Sequence, residues 1–234
     1  VTEIAPKAFY YCMGLKTVSF APDSQLKTIG AEAFSTASAI QSLEIPEGVT
    51  SIGAQAFVNT HQLKSISLPA SLSRIGSEGD HFAVLFAYSR SGNPTSAPSA
   101  LTEVNIADGN HNYISYDGAV YNADGKNLVY CPAQKSLIQW KDGVETIGAY
   151  AFYKSAMHSL TIPGTVVSIG KSAFSGTQFT SLELPASVKT VEASAFFNSQ
   201  LTNVVLSEGL ERIEANAFSQ SHVAGVTIPA SVTY

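Results

Sequence analysis

Charge is scarce in this chain. Only 13% of its 234 residues are Asp, Glu, Lys or Arg, the formal net charge is −5, and no run of Lys or Arg gathers the cations into a patch. Binding to a phosphate backbone needs such a patch, so nucleic acid is excluded as a partner. Long apolar runs are missing too: nothing approaches the roughly 18–20 residues that span a bilayer, and no basic segment leads into an apolar one as in an export signal. The chain is therefore not expected to span a membrane. Val1 and Tyr234 both fall inside repeats, so the sequence reads as a fragment of a longer chain with any export signal outside it. Two cysteines are too few for a disulfide framework and lack metal-ligand spacing. Cys12 reads as a small, buried apolar residue at a turn.

Catalytic signatures are equally absent. There is no nucleophile elbow, phosphate loop or zinc motif, and the five histidines fall in different repeat positions. Only His81 and His111, with Asp80 or Asp108, are placed to approach one another, short of the three or four ligands that a metal needs. No cofactor, no metal and no enzyme activity are expected.

What the chain does have is repetition. IGAEAF (29–34), IGAQAF (52–57), IGAYAF (147–152) and IGKSAF (169–174) are joined by the looser IAPKAF (4–9), VEASAF (191–196) and IEANAF (213–218). The phenylalanines stand at 9, 34, 57, 152, 174, 196 and 218, giving steps of 25, 23, 95, 22, 22 and 22 residues. A fixed step of this size marks a stacked-repeat fold with something inserted midway. Before each motif, pairs such as Leu43/Ile45, Ile66/Leu68, Leu160/Ile162 and Leu182/Leu184 alternate with polar residues, the period of a strand with one buried face. Pro46, Pro69, Pro163, Pro185 and Pro229 follow and end the ladder, because proline has no N–H to give. A second short extended piece leads to the Ala-Phe segment, expected as a short helical or 3₁₀ turn. One repeat cannot bury its own apolar face, so the phenylalanines should stack as a spine between neighbours. The motif glycine is replaced by Glu192 and Glu214 in two copies, which argues for tight packing there and against a positive φ.

These residues resemble the BspA-like leucine-rich repeats, with an Ala-Phe-x-x-Cys/Ser segment and a proline after the strand; AFYYC (8–12) matches even to the cysteine. The resemblance covers nearly the whole chain. It implies a leucine-rich-repeat solenoid, right-handed, with a parallel β-sheet on one face and about nine to ten coils, forming a single domain over residues 1–234. It also implies a bacterial surface or secreted protein that binds host or microbial partners. Ala21, Ala107 and Ser207 depart from the pattern by replacing the proline.

Two irregular insertions break the repeat, at about 77–100 and 107–141. In the first the Ala-Phe segment is missing, so Phe82 or Phe86 must substitute in the spine, and HFAVLFAY reads as a short extra helix. In the second, AVY (119–121) and LVY (128–130) flank Asp124-Gly125, the pattern of a β-hairpin. Ile138 and Trp140 then take the places of Leu43 and Ile45.

Two surfaces are candidates for recognition. The outward columns of the sheet include Glu44, Ser67, Asn105, Gln139, Thr161 and Glu183, a small polar face on which Glu44 and Glu183 lie too far apart to act as a catalytic carboxylate pair. The insertions hold Tyr88, Arg90, Tyr113 and Tyr116, the residue types that anchor interfaces. The expected function is a non-catalytic cell-surface or secreted binding and adhesion module with a protein or glycan partner. The alternative is a structural spacer that self-associates weakly through its solenoid ends.

Overall fold

The computed structural model of the chain describes residues 1–76, 81–86 and 100–233. They divide into two compact units, Val1–Ala123 and Asp124–Tyr234, built from the same kind of coil. The fold is a β-solenoid of about eight turns with parallel sheets and almost no helix. The count falls short of nine to ten because the second insertion spends its residues on an antiparallel hairpin, which adds strands without adding a turn.

In the N-terminal unit the strands are β1 (Glu3–Ile4), β2 (Thr28–Ile29), β3 (Ser42–Glu44), β4 (Ser51–Ile52), β5 (Ser65–Leu68), β6 (Arg74–Ile75), β7 (Glu103–Ile106), β8 (Tyr113–Tyr116) and β9 (Ala119–Asn122), with a 3₁₀ turn at Phe82–Leu85. Strands β3, β5 and β7 form one parallel sheet, and β1, β2, β4 and β6 another. The expected alternation holds: Leu43, Ile45, Ile66, Leu68, Val104 and Ile106 are buried. Their polar neighbours stand in register, Glu44 opposite Ser67 and Ser67 opposite Asn105.

The C-terminal unit repeats the plan with β10 (Asn127–Tyr130), β11 (Thr146–Ile147), β12 (Ser168–Ile169), β13 (Ser181–Glu183), β14 (Thr190–Val191), β15 (Asn203–Val205) and β16 (Arg212–Ile213). Strands β10, β11, β12, β14 and β16 pair in parallel in that order, and β13 pairs with β15. The prolines act as stops in both units. The carbonyls of Pro69, Pro163 and Pro185 accept the N–H of Leu72, Val166 and Val188, so each stop also opens a tight turn.

The Ala-Phe corners are not helical, contrary to expectation. In IGAEAF the N–H groups of Ala33, Ser35 and Ala37 bond back to Gly30, Glu32 and Phe34, while those of Glu32, Phe34 and Thr36 reach forward to Ala54, Ala56 and Val58 of the next coil. Alternate amides thus serve local turns and the inter-coil ladder. A helix would spend all of them within its own segment. The geometry requires a positive φ at the residue before Ala-Phe and again four residues later: Glu32 and Thr36, Gln55 and Asn59, Tyr150 and Lys154, Ser194 and Asn198, Asn216 and Gln220. Left-handed backbone costs an L-residue about 1–2 kcal/mol, and the inter-coil bonds offset it.

The glycine before each corner serves close approach, as the sequence suggested. A Cβ on Gly53 would lie 2.4 Å from the Ala31 amide nitrogen, and one on Gly170 would lie 2.8 Å from that of Ala149. Where glutamate stands instead, its carboxylate takes up the neighbouring coil's amide. Glu192 accepts from Lys171 N–H and Glu214 from Ala193 N–H.

The aromatic spine is present in each unit. Phe9 stacks on Phe34 at 5.1 Å, and Phe34 on Phe57 at 6.0 Å. Phe86 continues the column at 6.0 Å from Phe57, so it is the substitute, while Phe82 tilts against it. The short helix expected here is the 3₁₀ turn Phe82–Leu85, whose Val84 and Leu85 carbonyls accept the amides of Gln55 and Phe57, as an Ala-Phe corner would. In the C-terminal unit Phe152, Phe174, Phe196 and Phe218 stack at 5.1, 5.1 and 5.0 Å.

The second insertion holds a hairpin at the first of its two Asp-Gly turn signals. Strands β8 and β9 pair antiparallel about Asp117-Gly118, whose φ values of 49° and 71° suit the two-residue hairpin turn. At Asp124-Gly125, the second signal, the aspartate carboxylate accepts the Lys126 amide, two residues on. Buried Asn110 fixes the start of the hairpin. It donates to the Pro69 and Leu72 carbonyls and accepts from the amides of Asn112 and Tyr113.

Candidate functional site

The candidates from the sequence fall into separate groups. Tyr88 and Arg90 lie outside the described residues. Tyr113 and Tyr116 both belong to β8, at positions of opposite parity, so they point to opposite faces of the strand. Tyr113 is half-buried with its ring edge-on to Phe82 at 5.6 Å, and burial raises its phenol pKa above the ordinary value near 10. Tyr116 is 43% exposed and packs edge-on against Tyr121. Of these two tyrosines, only Tyr116 presents a largely open ring to a partner.

The sheet-face candidates are better assembled. Glu44, Ser67 and Asn105 form an unbroken row across β3, β5 and β7. In the C-terminal unit Thr161 and Glu183 line one cleft of 320 Å³, together with Leu160, Ile162 and Pro185. Gln139 is exposed one coil earlier.

One coil before the cleft, the main-chain ladder carries a substitution. In the N-terminal unit the Ile45 N–H donates to the Ser67 carbonyl at 2.9 Å, and the equivalent Leu184 N–H donates to Val205 at 3.0 Å. Trp140 occupies the same repeat position, but there the indole Nε1–H donates to the Thr161 carbonyl at 2.9 Å. A bulky side-chain donor thus stands where a main-chain donor stands elsewhere. Among the described residues, 159–162 form no strand and make no main-chain hydrogen bond to β13. The sheet is open at this coil, although β12 and β14 remain paired on the other face of the same coils.

Two further depressions lie outside this cleft. One of 450 Å³ opens between residues 203–206 and 225–227. Another, of 690 Å³, runs over Gly30 and Gly53 between Glu3 and Arg74, where the Arg74 guanidinium donates to Ser51 Oγ.

Among the described residues, no group of three or more His, Cys, Asp or Glu side chains is placed to hold a metal ion. His81 and His111 are both exposed. Among the described residues Cys12 and Cys131 form no disulfide, and Cys131 is the more deeply buried of the two. No helix among the described residues is long and apolar enough to cross a membrane.

Sequence reasoning missed the role of Trp140 as a ladder donor and that of Asn110 as a fastening for the hairpin. A signal for the first was present: tryptophan stands at an inward strand position held by isoleucine or leucine in the regular copies.

The family described as the BspA type leucine-rich repeat region matches residues 1–83 and 126–234, in six copies. Solved structures share the fold. The crystal structure of the pneumococcal vaccine antigen PcpA is 23% identical with a TM-score of 0.70, covering 99% of this chain and 60% of that one. A leucine-rich repeat protein from Eubacterium ventriosum is 19% identical with a TM-score of 0.60, over 99% of this chain and 77% of that one. A leucine-rich cell surface protein from Faecalibacterium prausnitzii is 23% identical with a TM-score of 0.53, over 97% and 76%. The chain thus spans 60% of the length of the pneumococcal antigen. A search of curated proteins found no significant match.

Proposed function

The chain belongs to the BspA-type leucine-rich-repeat family, and from that premise we propose that it is a non-catalytic binding module displayed at a bacterial surface, which recognises a protein partner through its sheet face and the adjoining hairpin. The observation that carries this reading is the contrast between a rigid interior and a polar display. Stacked phenylalanines and inter-coil amides fix the coils, while the outward columns offer Glu44, Ser67, Asn105, Thr161 and Glu183 without assembling a reactive set. A fixed scaffold lowers the ordering cost of binding, which favours recognition by surface side chains. Surface display draws support from two relatives described as a vaccine antigen and a cell surface protein. The reading is tested by screening the purified chain against host matrix proteins and a glycan array. Any binding is then mapped with Tyr113→Ala/Tyr116→Ala and Thr161→Ala/Glu183→Ala pairs; retention of full affinity by both pairs counts against it.

A spacer role is the second reading, favoured by apolar side chains exposed on the outermost coils: Tyr11 and Met13 at one end, Val226 and Ile228 at the other. Sedimentation at rising concentration separates the two. Self-association lost on Met13→Ser or Ile228→Ser supports stacking of copies, and a monomer at all concentrations removes it.

A further inference from the structure

The opened sheet of the C-terminal unit contains a place built for one side chain. We infer that the cleft between residues 160–162 and 183–185 is a subsite for a single basic side chain, Arg or Lys, presented by a protein partner; this rests on the binding-module reading above. Size is the first argument. The two coils that wall the cleft are held together behind it by the β12–β14 ladder and by Phe174 stacked on Phe196 at 5.1 Å. An inserted strand would need about twice the normal strand spacing of ~4.8 Å, which those attachments forbid. A volume of 320 Å³ accepts a side chain.

Charge is the second argument. Glu183 is the sole ionisable group lining the cleft, and among the described residues it enters no ion pair. Its main-chain carbonyl faces the same way. Alternate residues of a parallel strand address opposite neighbours, and Leu184 directs its N–H to Val205, so Glu183 directs its own carbonyl into the cleft. A carboxylate and a carbonyl side by side suit a guanidinium or ammonium group, while Leu160 and Pro185 give apolar walls for the methylene stem. The other two depressions lack this combination. One has no ionisable lining group, and in the other Arg74 stands opposite Glu3.

Trp140 is the only tryptophan in the chain, and its indole N–H donates to the carbonyl of Thr161, a residue that lines the cleft. Both its N–H resonance and its fluorescence therefore report occupancy. The full chain is titrated with the blocked peptide acetyl-Gly-Arg-Gly-amide into the millimolar range expected of one exposed charge pair. The isosteric citrulline peptide and a methyl hexoside serve as comparisons. The expected result is a shift of the Trp140 indole N–H and of the Thr161 and Glu183 amides with the arginine peptide. Glu183→Gln should weaken it about fivefold and the citrulline peptide by a similar factor, with Glu208→Gln, an exposed carboxylate outside the cleft, leaving it unchanged. Shifts that survive Glu183→Gln and citrulline, shifts confined to other coils, shifts given by the hexoside alone, or none at all would overturn the proposal. A protein partner that binds Glu183→Gln as tightly as the native chain would remove this subsite and leave the binding-module reading standing.

Discussion

The two units use one repeat and treat its sheet differently. In the N-terminal unit β3, β5 and β7 form a continuous ladder, and its outward row from Glu44 to Asn105 is an unbroken surface. In the C-terminal unit only β13 and β15 pair on that face, with depressions on both sides of them. Beside the first of these depressions one repeat position differs. Isoleucine at 45 gives its main-chain N–H to the next coil, whereas tryptophan at 140 gives its indole N–H. A solenoid held by an internal stack can leave its sheet open locally, because the stack and the second ladder fix the coil spacing. Ring spacings along the spine are 5.0–5.1 Å in the C-terminal unit and 5.1, 6.0 and 6.0 Å in the N-terminal unit.

That comparison is broken most forcefully at the spine. Phe174→Ala removes a fully buried ring stacked on both sides and should cost about 3–5 kcal/mol. Phe57→Ala, in the unit with the intact ladder, should lie at the lower end of that range; denaturant titration of both variants decides, and a larger loss for Phe57→Ala reverses the assignment of what holds each unit. Ile45→Trp carries the bulky donor into the closed sheet. Overpacking and loss of the bond to Ser67 should cost about 1–3 kcal/mol, with the row from Glu44 to Asn105 perturbed in amide chemical shift. Thr36→Gly acts on the feature that the units share. Thr36 is β-branched at φ 62°, so glycine should raise stability by about 1 kcal/mol, and a drop in melting temperature would show that the corner is not strained there.

Much of this was legible in the sequence, for reasons that can be stated residue by residue. The alternation around Leu43 and Ile66 and the recurring phenylalanines record burial, which is periodic and local, so strands and spine followed directly. The Ala-Phe corners were misread as helical because their hydrogen bonds alternate between the coil and its neighbour, a tertiary property that composition does not carry. Ser194 and Asn216 do favour turns, but Tyr150 and Gln55 at the same site mask the signal. The hairpin at Asp117-Gly118 went unread because its pairing with β7, through Val104 N–H to the Gly118 carbonyl, is a tertiary contact that the local pattern does not carry. As for the candidate site, Thr161 and Glu183 were identifiable as outward residues. The opening between them was not, since Leu160 and Ile162 keep the regular repeat pattern.

The most direct measurement is amide hydrogen exchange at four equivalent repeat positions. Ile45 and Leu184 donate to the next coil through their main-chain N–H, whereas among the described residues Trp140 and Ile162 make no such main-chain bond. The account predicts slow exchange at Ile45 and Leu184 and exchange faster by about five- to tenfold at Trp140 and Ile162, the factor expected for loss of one protecting bond of about 1–1.5 kcal/mol. Equal protection at all four would mean that the ladder is closed throughout, and would contradict both the cleft and the role given to Trp140.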